Sequence, residues 1–337
     1  MQAGHHQYEQ AIAALDDTEA STIDKVEMLM EIAMGLQTRP KNPEQLIDAI
    51  SLYSRALELC PPEETLLMAR IRARKATALQ MVPSEDIVYL LQARVELEEA
   101  LAVLTVEGIK EEVAEAQINL GLICQSLAPT GKAKITDAID LYQRALRTFN
   151  KKGFPAEYVI LHNNLATAFL SMSMSDERGK MREALAVQSF EAALEVVTLE
   201  DSPNEYAMLQ NNLGNALQYV SSSHALENNL RALSAYNEAL KVRTEKTTPL
   251  PYATTIANKA NCLRNLPDDF ENPQNGNTQK LLQARQLYAD AKQIFNHYGE
   301  TAKIAILDEA LGEIDKELND NDRINGEKQD GPNVMSV

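Results

Sequence analysis

The chain has 337 residues, with 49 acidic against 32 basic side chains, a net charge of −17, three cysteines and no tryptophan. A surface this acidic repels phosphate backbones and anionic lipid headgroups, which argues against nucleic-acid and membrane partners. Cys60, Cys124 and Cys262 are odd in number and show no CxxC spacing, so neither a disulfide framework nor a zinc site is expected, and a reducing compartment fits. The opening MQAGHHQYEQ has no basic segment followed by an apolar run, and no stretch approaches 18 apolar residues. A cytoplasmic protein is the expectation.

Residues 1–19 are expected to form a cap, with a short helix over YEQAIAALDD at 7–16. From 20 to 298 the sequence repeats. One pattern is Ala, three residues, a ring or large aliphatic, two residues, Ala. It occurs as Ala49/Tyr53/Ala56, Ala93/Leu97/Ala100, Ala138/Tyr142/Ala145, Ala186/Phe190/Ala193, Ala232/Tyr236/Ala239 and Ala284/Tyr288/Ala291, and the final alanines are spaced by 44, 45, 48, 46 and 52 residues. Spacings of 4 and 3 place all three residues on one helix face. Small residues at both ends admit a neighbouring backbone, and the large one fills the space between.

Ahead of five of the six copies lies another amphipathic segment with a small residue in its apolar face: Ala76, Gly121, Ala166, Gly214 and Ala260. TIDKVEMLMEIAMGLQ is a degenerate partner for the first copy. Each unit therefore reads as helix A, turn, helix B. Pro61-Pro62, Pro155, Pro203 and Pro249/Pro251 mark entries to A helices, because proline is tolerated in a first helical turn and poorly elsewhere. The clearest A helix is YAMLQNNLGNALQYV, residues 206–220. Gly214 within its stripe costs about 1 kcal/mol relative to alanine, which requires a compensating close approach by a second helix.

Asn212-Leu213-Gly214-Asn215-Ala216-Leu217, followed by Ala232/Tyr236/Ala239, resembles the tetratricopeptide repeat (TPR). The resemblance covers about residues 20–298. It implies an all-α, right-handed superhelix of about six helix pairs with capping helices. In a 34-residue repeat the small residue precedes the first Ala of helix B by about 12 positions. Here the gaps are 17, 17, 20, 18 and 24, which places insertions in the A–B turns, among them SMSDERGKMRE, SSSHALENN and PDDFENPQNGNTQ. This long-turn form is similar to repeat arrays of bacterial CHAT-associated proteins, although no protease domain is visible in the chain. HEAT and armadillo repeats share the period and lack the N-L-G motif.

Residues 299–319 read as a closing helix, with Ile304, Leu307, Leu311, Ile314 and Leu318 on one stripe and Glu309, Glu313 and Lys316 facing water. Such a helix covers the exposed face of a last repeat. Residues 320–337 lack an apolar pattern and are expected to be disordered.

No HExxH, phosphate-binding glycine loop or GxSxG motif is present, and no catalytic residue, metal site or cofactor is expected. Cys124 and Cys262 fall on A-helix stripes as buried thiols, while Cys60, ending a B helix, reads as more exposed. Asparagine recurs instead. Asn119, Asn164, Asn212 and Asn258 follow the repeat, joined by Asn163, Asn211, Asn215 and Asn261. In a superhelix of helix pairs the A helices line the concave wall, where carboxamides offer both donor and acceptor to an extended peptide backbone. The same residues could equally bridge adjacent helices. Arg70 and Arg74, four apart, could receive a carboxylate; the alternative is pairing of this basic cluster with Glu58, Glu63, Glu64 or the acidic helix bearing Glu96, Glu98 and Glu99. The expected function is a non-enzymatic adaptor, scaffold or assembly factor that binds a protein or peptide, self-association being left open. A sensor for a signalling peptide or small ligand is the alternative, and a regulatory partner of a CHAT-type protease is a third.

Overall fold

The computed structural model of the chain describes residues 5–16, 19–172, 177–220 and 224–329. Within these there are fourteen α-helices, two short 3-10 turns and no strand. Helix α1 (His5–Asp16) precedes twelve helices that alternate along the chain as A and B: α2 (Thr22–Thr38) and α3 (Pro43–Leu59), α4 (Thr65–Met81) and α5 (Val88–Glu107), α6 (Lys110–Leu127) and α7 (Ile135–Ala145), α8 (Pro155–Leu170) and α9 (Glu177–Leu194), α10 (Pro203–Tyr219) and α11 (Ala225–Leu240), and α12 (Pro249–Arg264) and α13 (Thr278–His297). Helix α14 (Thr301–Gln329) closes the chain. This is the expected all-α solenoid of helix pairs.

The chain divides into two compact units, residues 1–172 and 173–337, and the boundary falls between α8 and α9. In the first unit α1 lays Ala11 and Leu15 against a cluster that includes Val26, Leu29, Leu52 and Tyr53. In the second unit α14 buries Leu307 and Ile314. It is tied down by Arg264 of α12, whose guanidinium reaches Glu313 at 2.6 Å and also pairs with Glu317.

Local chemistry sets the helix starts. Ser21 forms a reciprocal capping box with Asp24, and Asn42 accepts from Gln45 N–H at 3.1 Å ahead of Pro43. Three later A helices enter through one repeated geometry. Phe154, Ser202 and Thr248 sit at φ/ψ of −140/64°, −142/66° and −142/63°, each before a proline in the first helical turn. In each case the final Ala of the B helix accepts a backbone hydrogen bond from the residue four on, at 2.9–3.1 Å. The B-to-A connection is therefore constant, and the variation in repeat length lies between A and B.

Three expectations need correction. The inserted residues are not all turn. Residues 177–183 and 225–229 belong to α9 and α11, so they lengthen the start of helix B, while 173–176 and 221–223 lie outside the described residues. Only the last insertion is a long turn. There Asp268 accepts from the backbone N–H of Gln279 and Lys280, at 2.8 Å each, and Asp269 closes an Asx turn on Glu271 and Asn272. The closing helix also runs to Gln329, ten residues past its expected end at 319. Its Glu, Lys and Gln are good helix formers, and Asn321 touches Thr278 at 3.5 Å. Residues 330–337 lie outside the described residues. Finally, Cys60 is buried at 6% exposure, packed into the core of the first unit.

Candidate functional site

The small residue of an A helix fixes how closely helix B packs on it. A β-carbon on Gly121 would lie 2.5 Å from the Tyr142 ring, and one on Gly214 would lie 2.6 Å from the Tyr236 ring. Those rings are fully enclosed, as are Tyr53, Phe190 and Leu97. The glycines let helix B press its ring directly onto the backbone of helix A, which is the compensating contact that the sequence demands.

Counting from the small residue (Ala33, Ala76, Gly121, Ala166, Gly214, Ala260) gives each side chain of the wall a register. Two positions before it stand Glu31, Arg74, Asn119, Asn164, Asn212 and Asn258. Four positions after it stand Gln37, Gln80, Gln125, Leu170, Gln218 and Arg264. The glutamine register was missed in the sequence, although its spacing was there to read. It links the wall to helix B, since Tyr53 OH donates to Gln37 and Tyr142 OH donates to Gln125, both at 3.0 Å. Tyr236 accepts from Gln218 Nε2 at 2.5 Å and donates to Asn215 Oδ1 at 2.7 Å. Burial raises the Tyr53 and Tyr142 phenols, Tyr53 to about 12.

The wall is also stitched between repeats. In the first unit Asn119 Nδ2 reaches Thr77 at 3.5 Å and Gln125 Nε2 reaches Thr167 at 3.2 Å. In the second, Asn258 Nδ2 donates to Asn211 Oδ1 at 3.2 Å and Asn261 Nδ2 donates to Gln218 Oε1 at 3.1 Å. Asn211 is buried and also donates to Asn212 Oδ1. Asn163 and Asn212 are half-buried. Asn164 Nδ2 is enclosed with no hydrogen-bond partner among the described residues. The partner register on the preceding helix, filled by Thr77 beneath Asn119, is Leu122 beneath Asn164. The structure thus places all eight asparagines on A helices and joins Asn119, Asn211, Asn212, Asn215, Asn258 and Asn261 into side-chain contacts.

The first unit holds an open cleft of about 540 Å³ on α2, α4 and α6. Arg70 and Arg74 both line it, with Glu112, Glu115, Asn119 and Met34. The two arginines differ. Arg70 Nε donates to Glu112 Oε1 at 2.7 Å, and this bond holds the Glu112 carboxyl below the usual carboxylate range. Arg74 takes the asparagine register, contacts Met34 Sδ at 2.9 Å and has no carboxylate within ion-pair distance among the described residues. Glu115 on the same wall is raised, chiefly by burial. The other members of the basic cluster turn away. Arg72 pairs with Glu96 and Glu99, and Lys75 pairs with Glu96 at 2.8 Å.

Among the described residues no group of His, Cys, Asp and Glu could hold a metal ion, and no helix is long and apolar enough to cross a membrane. All three thiols are buried and raised, Cys262 to about 12.

The fold is that of an all-α helical-repeat protein. Among solved structures, BtubC (BKLC) from P. vanneervenii is similar with a TM-score of 0.50, at 20% identity over 72% of this chain and 88% of that one. Rap protein complexed with competence and sporulation factor aligns at a TM-score of 0.44 and 13% identity over 90% of this chain and 78% of that one. A circular tandem repeat protein with a novel repeat topology aligns at 0.23 and 15% identity, over 88% and 71%. No protein-family model matches the sequence, and a search of curated proteins finds no match.

Proposed function

We propose that the protein is a non-enzymatic interaction module that binds an extended segment of a partner protein along its A-helix wall. The observation that carries this reading is Arg74. It stands in an open cleft, in the register that asparagine fills in the four later repeats, and no carboxylate lies within ion-pair distance of it among the described residues. A partner carboxylate would complete it, and Asn119 and Asn164 would contact the same segment through donor and acceptor groups. In the second unit Asn212, Asn215, Asn258 and Asn261 are shared between gripping a segment and stitching the repeats. Arg70 supports the site by engaging Glu112 in an ion pair at 2.7 Å.

The readings as a peptide or small-ligand sensor and as a CHAT-associated regulator use the same wall, and no feature of it favours them over an adaptor. The test is recovery of one stoichiometric partner from the native host. Charge reversal, Arg74→Glu, removes a charge-assisted contact of about 1.5–3 kcal/mol and should weaken capture by about 10- to 100-fold, with the far-UV spectrum unchanged. Equal capture by the variant would remove Arg74 from the site.

A further inference from the structure

Lys259 occupies a position that the repeats otherwise fill with an apolar side chain or a paired lysine. The residue just before the small residue of helix A is Ile32, Lys75, Leu120, Leu165 or Leu213 in the other repeats. In the second repeat Lys75 is neutralised by Glu96, which stands just before the central Leu97 of helix B. The matching position in the sixth repeat, just before Tyr288, is Leu287. Among the described residues no carboxylate lies within ion-pair distance of Lys259, and burial holds its ammonium below the ordinary lysine value.

This lysine lines a cavity of about 420 Å³ formed by α11, α12 and α13 of the second unit. Lys280 lines it as well, together with Asn237 and Gln283, while Leu233 and Leu263 supply apolar surface. No acidic residue lines it, in a chain with 49 acids against 32 bases. Asp268, at the head of α13, already accepts from two backbone N–H groups. A half-buried cation without a counter-charge is costly, so a fold that keeps one beside a second lysine and the carboxamides of Asn237, Gln283 and Gln286 holds it ready for an anion.

We propose that this cavity binds a carboxylate carried on an aliphatic stem, the head between Lys259 and Lys280 and the stem against Leu233 and Leu263. The carboxylate could belong to a free small molecule or to a glutamate of a partner peptide. The inference stands on the second unit alone and does not depend on the cleft at Arg74.

Reductive ¹³C-methylation keeps lysines charged and makes them visible by NMR, so the full chain can be titrated with hexanoate, hexanamide and the peptide acetyl-Leu-Glu-Leu-amide. Hexanoate or the peptide should shift the Lys259 and Lys280 signals saturably, and hexanamide should not. The acid that binds at least about tenfold tighter identifies the source. The double variant Lys259→Gln/Lys280→Gln should weaken binding by at least about tenfold. Peptide bound at the Arg74 cleft would instead survive that variant and vanish in Arg74→Glu. Lys259→Met should melt higher than the wild type without ligand. The proposal is overturned by no saturable shift from either acid, an equal response to hexanamide, unchanged binding in the double variant, or a lower melting temperature for Lys259→Met.

Discussion

Gly121 and Gly214 show how one missing side chain sets the spacing of a repeat. Each lies against an enclosed tyrosine ring that cannot swing away, so an added methyl must push two helices apart. Alanine at either position should cost about 1–2 kcal/mol net, because overpacking outweighs the helix propensity gained. Gly35 is helical and exposed, with nothing within 4 Å of an added β-carbon, so Gly35→Ala should gain about 0.5–1 kcal/mol. Urea unfolding of the three variants checks the contrast, and a stabilised Gly214→Ala would contradict the packing account. The need for close contact was legible in the sequence from a glycine inside an apolar stripe. The identity of that contact was not, since the ring lies 21 residues beyond Gly121 and 22 beyond Gly214, across a connection of variable length. The asparagines were visible through their period, but their hydrogen bonds were not. Whether Asn258 faces a ligand or Asn211 depends on inter-repeat spacing, which periodicity does not encode.

At the scale of the helix, enclosed phenols and thiols on successive elements tie stability to pH. Burial raises Tyr53 and Tyr288 from the ordinary value near 10 to about 12, and Cys262 from near 9 to about 12. In the unfolded chain these groups ionise near their ordinary values, while in the folded chain they stay neutral. Unfolding therefore releases protons between about pH 9 and 12, and the folded state loses stability as pH rises through that window. Below pH 9 this contribution is fully present. Thermal melts from pH 7 to 11 should show a falling midpoint that begins near pH 9, and a flat profile would contradict the enclosure of these rings. The closing helix makes a second prediction. Ile314 is fully buried, so Ile314→Ala should cost about 2–5 kcal/mol. Since repeats are stabilised by their neighbours, hydrogen exchange should rise in α12–α14 and stay unchanged in α2–α4. A uniform rise would show that the chain unfolds as one cooperative body. The extent of this helix was misjudged from the sequence because residues 320–329 carry no apolar pattern, whereas contacts made by Glu317 and Asn321 carry the helix onward.

For the whole molecule, the sequence period was enough to give an all-α array of alternating A and B helices, because each repeat carries its own small-residue and ring positions. The division at residues 172 and 173 was not legible, as the fourth repeat keeps the same motifs as the others. The central claim is that the A-helix wall of the first unit receives an extended partner segment with a carboxylate at Arg74. Ala73 lines the cleft, and Val106 is exposed on α5 outside it. A photo-crosslinking residue at each position, in full-length protein expressed in the native host, tests the claim most directly. The account predicts one partner, crosslinked from position 73 through an acidic stretch and lost when Arg74 becomes glutamate. Crosslinks from position 106 alone, or capture at 73 that is indifferent to Arg74→Glu, would contradict it.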